Sequence, residues 1–183
     1  PYTTLFRSLL GACAEAGSTL VFVSHDARLA PRFDRVIDLT VIKEVKAVEK
    51  PKTADAGDDE YSYGYRLWEA KFYPEAEQQL RLFVEKYPKH YRATYARNLL
   101  GRALLEDGKV DEAQRWFLEN YKDKQFRDRA ADSVLFLAEA TKRQKDTARA
   151  CIALAQFVDE FPGEAAGRLK SQYDATRAGL KCD

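Results

Sequence analysis

No methionine occurs among the 183 residues. With no initiator present, the chain is expected to be a conceptual translation of a stretch of DNA. Histidine occurs twice, at His25 and His90, and the three cysteines, Cys13, Cys151 and Cys182, form no C-x-x-C pair. That spacing suits no structural or catalytic metal centre, and neither a metal nor any other cofactor is expected. No apolar run approaches the ~18 residues that a membrane-spanning helix takes. The apolar, β-branched run Thr19–Val23 is the size of a strand. Neither sign of charge dominates: 30 Lys and Arg face 29 Asp and Glu, for a net charge of +1. No basic patch stands out, so nucleic acid is not expected as a partner. The phosphate-cradling loop G-x-x-x-x-G-K-[ST] is missing, and with it the means of holding a nucleoside triphosphate. Ser24, His25 and Asp26 are adjacent in the chain. A nucleophilic triad draws its members from separate elements. No enzymatic activity is expected.

What the chain does have is a repeat. Ala76, Ala113 and Ala150 are 37 residues apart, as are Leu80, Phe117 and Leu154. Gly64, Gly101 and Ala138 keep the same step, and so do Tyr63, Leu100 and Leu137. A fixed period of this size marks stacked supersecondary units that cannot bury their apolar faces alone. Small residues at two positions of each unit let helices approach closely, while Leu80, Phe117 and Leu154 fill the space between.

Each unit reads as two helices. The first pair is expected near Asp58–Lys71 and Pro74–Tyr87, with Asp58 and Asp59 favouring a helix N-terminus and Pro74 in a first turn. The second is expected near Tyr91–Glu106 and Val110–Tyr121, split at Asp107-Gly108. The third is expected near Asp128–Arg143 and Asp146–Phe161. A last helix, about Glu164–Ala178, has no partner and reads as a cap.

Small residues, a large hydrophobe and a closing proline at Pro88 and Pro162 resemble the tetratricopeptide repeat (TPR). The period exceeds the usual ~34 residues, which an extended turn between units accommodates; Gln125 stands where the second closing proline would fall. The expected fold is an all-α, TPR-like solenoid of three helix pairs plus a capping helix, with a small N-terminal α/β fragment. The stretches GDDEYSYGYRLWEAKFYPEAEQQLRLFVEKYPKH, ARNLLGRALLEDGK and KDTARACIALAQFVDEFPGEAAGRLKSQYDATRAGLKC narrow the likeness. They resemble the C-terminal TPR domain of the Tol–Pal-associated periplasmic proteins, the cell division coordinator family of Gram-negative bacteria. The resemblance runs from about Asp55 to the end. It implies a periplasmic scaffold linking envelope constriction to peptidoglycan synthesis. The implied partners are the Tol-system inner-membrane protein and a peptidoglycan synthase. The family's signal peptide and trimerising coiled coil are not found in this chain.

The N-terminal part differs. GSTLVFVSHDARLAPRFDRVIDL, Gly17–Leu39, resembles the H-loop region of ABC transporter ATPases, where a histidine contacts the nucleotide. His25 is the matching position. Without a P-loop it is expected to be a vestigial contact, and a fragment of an ABC ATP-binding subunit is the alternative reading of function. Pro1–Ser8, PYTTLFRS, is the translation of a common sequencing-adapter string and is set aside from fold reasoning. The expected organisation is adapter 1–8, transporter fragment 9–42, linker 43–57 and TPR domain 58–183. A genuine gene fusion is the other account of the junction.

In a periplasmic protein, Cys151 and Cys182 are allowed to form a bridge closing the cap onto the third unit; two unpaired thiols are the alternative. The resemblance also places a partner-binding groove on the leading helices. Tyr61, Tyr65 and Trp68 come from the first unit, Tyr95, Asn98 and Arg102 from the second, and Leu135, Glu139 and Arg143 from the third. Core packing is the alternative for Tyr65 and Trp68, and a solvated surface role for Arg102. His90, in a turn after Tyr87-Pro88-Lys89, is expected to be exposed.

Overall fold

In the computed structural model, which describes residues 48–182, the chain forms eight helices and no strand among those residues. They are α1 (Ala56–Glu69), α2 (Tyr73–Lys86), α3 (Ala93–Glu106), α4 (Val110–Lys122), α5 (Ala130–Arg143), α6 (Thr147–Glu160), α7 (Pro162–Ala166) and α8 (Lys170–Arg177). Each packs most extensively on its neighbours in sequence from α1 to α6. Three antiparallel pairs, α1/α2, α3/α4 and α5/α6, thus stack into a TPR-like all-α solenoid.

The same turn closes all three pairs. Lys71, Gly108 and Lys145, again 37 apart, sit in the left-handed region with φ of 64°, 78° and 63°. The N–H groups of Phe72, Lys109 and Asp146 donate to the carbonyls of Leu67, Leu104 and Thr141, at 2.9, 2.8 and 3.1 Å. Those of Lys71, Gly108 and Lys145 donate to Trp68, Leu105 and Lys142. This is the double bond pattern of a Schellman cap, which satisfies carbonyls otherwise orphaned at a helix end. The connections between units are longer, at residues 87–92 and 123–129. At Gln125 a side-chain cap does the work of the expected proline: Asp123 Oδ1 accepts from the backbone N–H of Gln125 and Phe126 at 2.8 and 3.3 Å.

The small residues of the repeat lie where helices touch. A Cβ on Gly64 would lie 2.8 Å from the Leu80 side chain, and one on Gly101 would overlap the Phe117 ring. Ala76, Ala113 and Ala150 are fully buried, as are Leu80 and Phe117. One core cluster joins Leu80, Phe83, Leu100, Leu104 and Phe117 across α2, α3 and α4. A second joins Val134, Leu135, Leu154, Phe157 and Leu169 and continues into the tail through Leu180.

Two expectations change. The cap is two short helices, α7 and α8, separated at Gly167, whose backbone leaves the helical region (φ −111°, ψ −120°) and packs against the Gly163 carbonyl where a side chain would not fit. Residues 48–55, expected as linker, lie along α1: Val48 packs with Leu67 and Ala76, Thr53 N–H donates to Asp59 at 2.8 Å, and Asp55 N-caps α1. The segments expected as adapter and α/β fragment, and with them His25, lie outside the described residues.

Candidate functional site

The leading helices form the crowded layer. The backbones of α1 and α3, and of α3 and α5, come closer than those of α2 and α4 or of α4 and α6, which are joined by side-chain pairs such as Arg81–Glu112 and Gln156–Tyr121. Closer spacing puts α1, α3 and α5 on the inner side of the stack. Their facing side chains line one continuous surface.

At its centre is Arg102 of α3. Its guanidinium carbon lies 4.3 Å from the centroid of the Trp68 ring on α1 and 5.0 Å from that of Phe136 on α5. One cation is therefore held between aromatic rings from both neighbouring units, an arrangement the ring quadrupoles favour. Among the described residues Arg102 donates to no acceptor. Burial pulls its ionisation below the ordinary arginine value; the Arg129 charge adds to that, and Asp132 opposes it. Trp68 Nε1 is also buried and has no acceptor among the described residues.

Toward the N-terminal ends of these helices the surface continues as arginines over tyrosines. Arg92 lies 5.1 Å from the Tyr61 ring and 5.4 Å from the Tyr95 ring, and Arg129 lies 4.7 Å from Tyr95. These two cations have counter-charges. Arg92 Nε donates to Asp58 at 2.7 Å. Arg129 Nη1 donates to Asp132 at 3.0 Å, and Arg168 adds a two-pronged contact to Asp132 at 2.9 and 2.8 Å. Burial works to raise the Asp132 carboxyl, but Arg168's hydrogen bonds and the charges of Arg129 and Arg168 outweigh it and hold it below the ordinary aspartate value. At the other end, Arg143 donates to Glu106 at 3.0 Å, to Glu139 at 2.7 Å and to the Leu105 carbonyl at 3.1 Å. An open cleft of about 420 Å³ between α5 and α8 lies there, walled by Glu139, Lys142, Arg143 and Thr176.

Of the residues expected on this face, Tyr61, Tyr65, Trp68, Tyr95, Arg102, Glu139 and Arg143 retain accessible surface. Tyr65 is 39% exposed. Leu135 and Asn98 do not belong to it. Leu135 is fully buried in the second core cluster. Asn98 is buried, and its amide donates to Ser133 Oγ at 3.0 Å, where Asn120 also donates at 2.9 Å. Residues 61, 98 and 135 are 37 apart, and that row points between units. Tyr61 keeps some exposure because it stands at the start of the stack, against Phe83 and Tyr95.

His90 is another correction. Its side chain is 15% exposed, Nε2 lies 3.2 Å from both Asp55 oxygens, and its ring meets Phe83 edge-on. Cys151 and Cys182 are joined by a disulfide, with Cα atoms 5.4 Å apart. The reading of the sequence missed Arg92, Arg129, Asp132 and Phe136. The signal was available in the register: Asp58, Tyr95 and Asp132 share one repeat position, and Asp55, Arg92 and Arg129 share another.

No group of three or more His, Cys, Asp or Glu side chains among the described residues is arranged to hold a metal ion. No helix among them is long and apolar enough to cross a membrane. No family model matches the chain, and no curated protein matches it.

Proposed function

We propose that the solenoid is a protein-interaction scaffold, non-enzymatic, of the periplasmic Tol–Pal-associated type that couples envelope constriction to peptidoglycan synthesis. The observation that carries the interaction role is the row Trp68–Arg102–Phe136, flanked by Tyr95 and Tyr65 on three adjacent helices. Tyr, Trp and Arg are enriched among the residues that dominate protein interfaces, the rings bringing large area at low entropy cost and the guanidinium directional hydrogen bonds. The Cys151–Cys182 disulfide fits an oxidising compartment such as the periplasm. The Tol–Pal assignment rests on the resemblance of the three repeat stretches. By that resemblance the partner is the Tol-system inner-membrane protein, with a peptidoglycan synthase second.

The test is calorimetric titration of the full chain with the periplasmic part of the Tol-system protein. Saturable binding that Tyr65→Ala weakens at least tenfold, with the helical circular dichroism retained, is the expected result. Absence of binding to either partner would remove the Tol–Pal assignment, and undiminished binding by Tyr65→Ala would move the interface off this face.

A further inference from the structure

We infer that Arg102 is a carboxylate-binding site, filled by a glutamate or aspartate side chain of an extended partner segment lying across α1, α3 and α5. This rests on the interaction reading above and goes further by naming the chemistry of what is bound.

Arg92, Arg97, Arg129, Arg143 and Arg168 each pair with a carboxylate. Arg102, the cation at the middle of the inner face, pairs with none among the described residues. The Trp68 and Phe136 rings, with centroids 4.3 and 5.0 Å from its guanidinium carbon, crowd it from the two neighbouring units. What remains for a ligand is the N–H edge, which matches a carboxylate with two parallel hydrogen bonds. The rings also exclude water from the guanidinium, and a cation stripped of water gains more from a counter-charge than an exposed one does.

The occupant is a side chain within a segment because the face continues on both sides of Arg102. Tyr61 and Tyr95 lie one way, and the Glu106–Glu139–Arg143 group lies the other. A chain passing over the arginine meets tyrosines overlaid by Arg92 and Arg129 before it and the Glu106–Glu139–Arg143 cluster after it. Glu139 does not fill the site itself, because Arg143 holds it at 2.7 Å. Asp132 is committed to Arg129 and Arg168.

The experiment uses the full chain carrying Trp116→Phe, which leaves Trp68 as its one tryptophan. Trp68 emission is followed on titration with three peptides. The first is acetylated and amidated and alternates glutamate with leucine. The second is its glutamine twin. The third is the glutamine peptide with a free C-terminal carboxylate. The glutamate peptide is expected to bind saturably, at least tenfold more tightly than the other two. Arg102→Gln is expected to erase that preference, and Arg102→Met to do the same while keeping the aliphatic stem between the rings. Lys124→Gln, at an exposed site away from the face, is expected to leave the preference intact.

Equal binding of the glutamate and glutamine peptides with a Trp68 response would overturn the carboxylate site while leaving the interaction face standing. Tightest binding of the free-ended peptide would reassign the occupant to a chain terminus. No Trp68 response to any peptide, with the Tol-system protein still bound by the same chain, would place the interface elsewhere on the scaffold.

Discussion

The ring of Phe117 occupies the space into which a side chain on Gly101 would project. Sixteen residues separate this pair in the second unit, and the same step separates Gly64 from Leu80 and Ala138 from Leu154. Gly101→Ala is therefore expected to destabilise. Overpacking costs about 1–3 kcal/mol, set against the ~1 kcal/mol that alanine gains over glycine inside a helix. A net loss of up to about 2 kcal/mol in urea unfolding is expected. Phe117→Leu in the same chain recreates the third unit's alanine–leucine pair and should recover part of the loss, with a coupling of about 1 kcal/mol. Strict additivity of the two substitutions would mean that the contact does not set the spacing.

The 37-residue step made the pairing of helices legible before any coordinates, because packing positions must recur when identical units stack. The inner face was legible only in part. Carrying Tyr61 along the register drew Asn98 and Leu135 into the face, although that row points between units and only Tyr61, at the start of the stack, keeps exposure. Arg102's partners were not legible, since Trp68 and Phe136 come from different units and share no register position. The break at Gly167 was missed because the close approach of Gly167 to the Gly163 carbonyl exists only once the chain is coiled.

Leu135 and Tyr65 give opposite expectations under the corrected assignment. Leu135→Ala empties a fully buried site and should cost about 2–5 kcal/mol. Tyr65→Ala removes a ring that is 39% exposed and should change stability by about 0.5 kcal/mol or less. Thermal denaturation of both variants checks this. A Tyr65→Ala loss as large as that of Leu135→Ala would put Tyr65 in the core.

Acid should unfold the solenoid partly through Asp132. Its folded carboxyl titrates below the ordinary aspartate value, so in that window the unfolded chain binds more protons and stability rises with pH. The contribution is present above about pH 4, the unfolded aspartate range, and is lost as pH falls through the lower folded value. Asp132→Asn should cost about 2 kcal/mol at neutral pH, as hydrogen bonds to a charged group are worth. The wild-type and variant stability curves should converge below about pH 4. Coincident curves from pH 7 to pH 2 would show that the Arg129–Asp132–Arg168 contact adds nothing.

The disulfide acts on the cap. Cys151 and Cys182 are 31 residues apart in sequence, and the chain-entropy estimate for a loop of that size is about 3–4 kcal/mol. The bridged tail also carries Leu180 into the second core cluster. Lys142 Nζ donates to the carbonyls of Thr176 and Ala178 at 2.8 and 2.7 Å, capping α8. Reduction should lower the urea midpoint and speed amide exchange in Lys170–Arg177 while Leu99–Leu104 stays protected. Unchanged exchange in α8 would mean that Lys142 and Leu169 hold the cap without the bridge.

The strongest backbone prediction comes from the three Schellman turns. The left-handed position is glycine only in the second unit; Lys71 and Lys145 occupy it in the first and third. A residue with a Cβ pays about 1–2 kcal/mol in that conformation, whereas glycine loses about 0.5–1 kcal/mol more chain entropy on folding. Lys71 and Lys145 are exposed, so replacing them forfeits no buried contact. Lys71→Gly and Lys145→Gly should each stabilise by about 0.5–1 kcal/mol, and Gly108→Ala should destabilise by a similar amount. The two gains should add, because the turns lie in different units and share no partner. Urea unfolding of the single and double variants decides the matter. A loss of stability in either lysine variant would mean that its side chain, not the backbone, holds the turn.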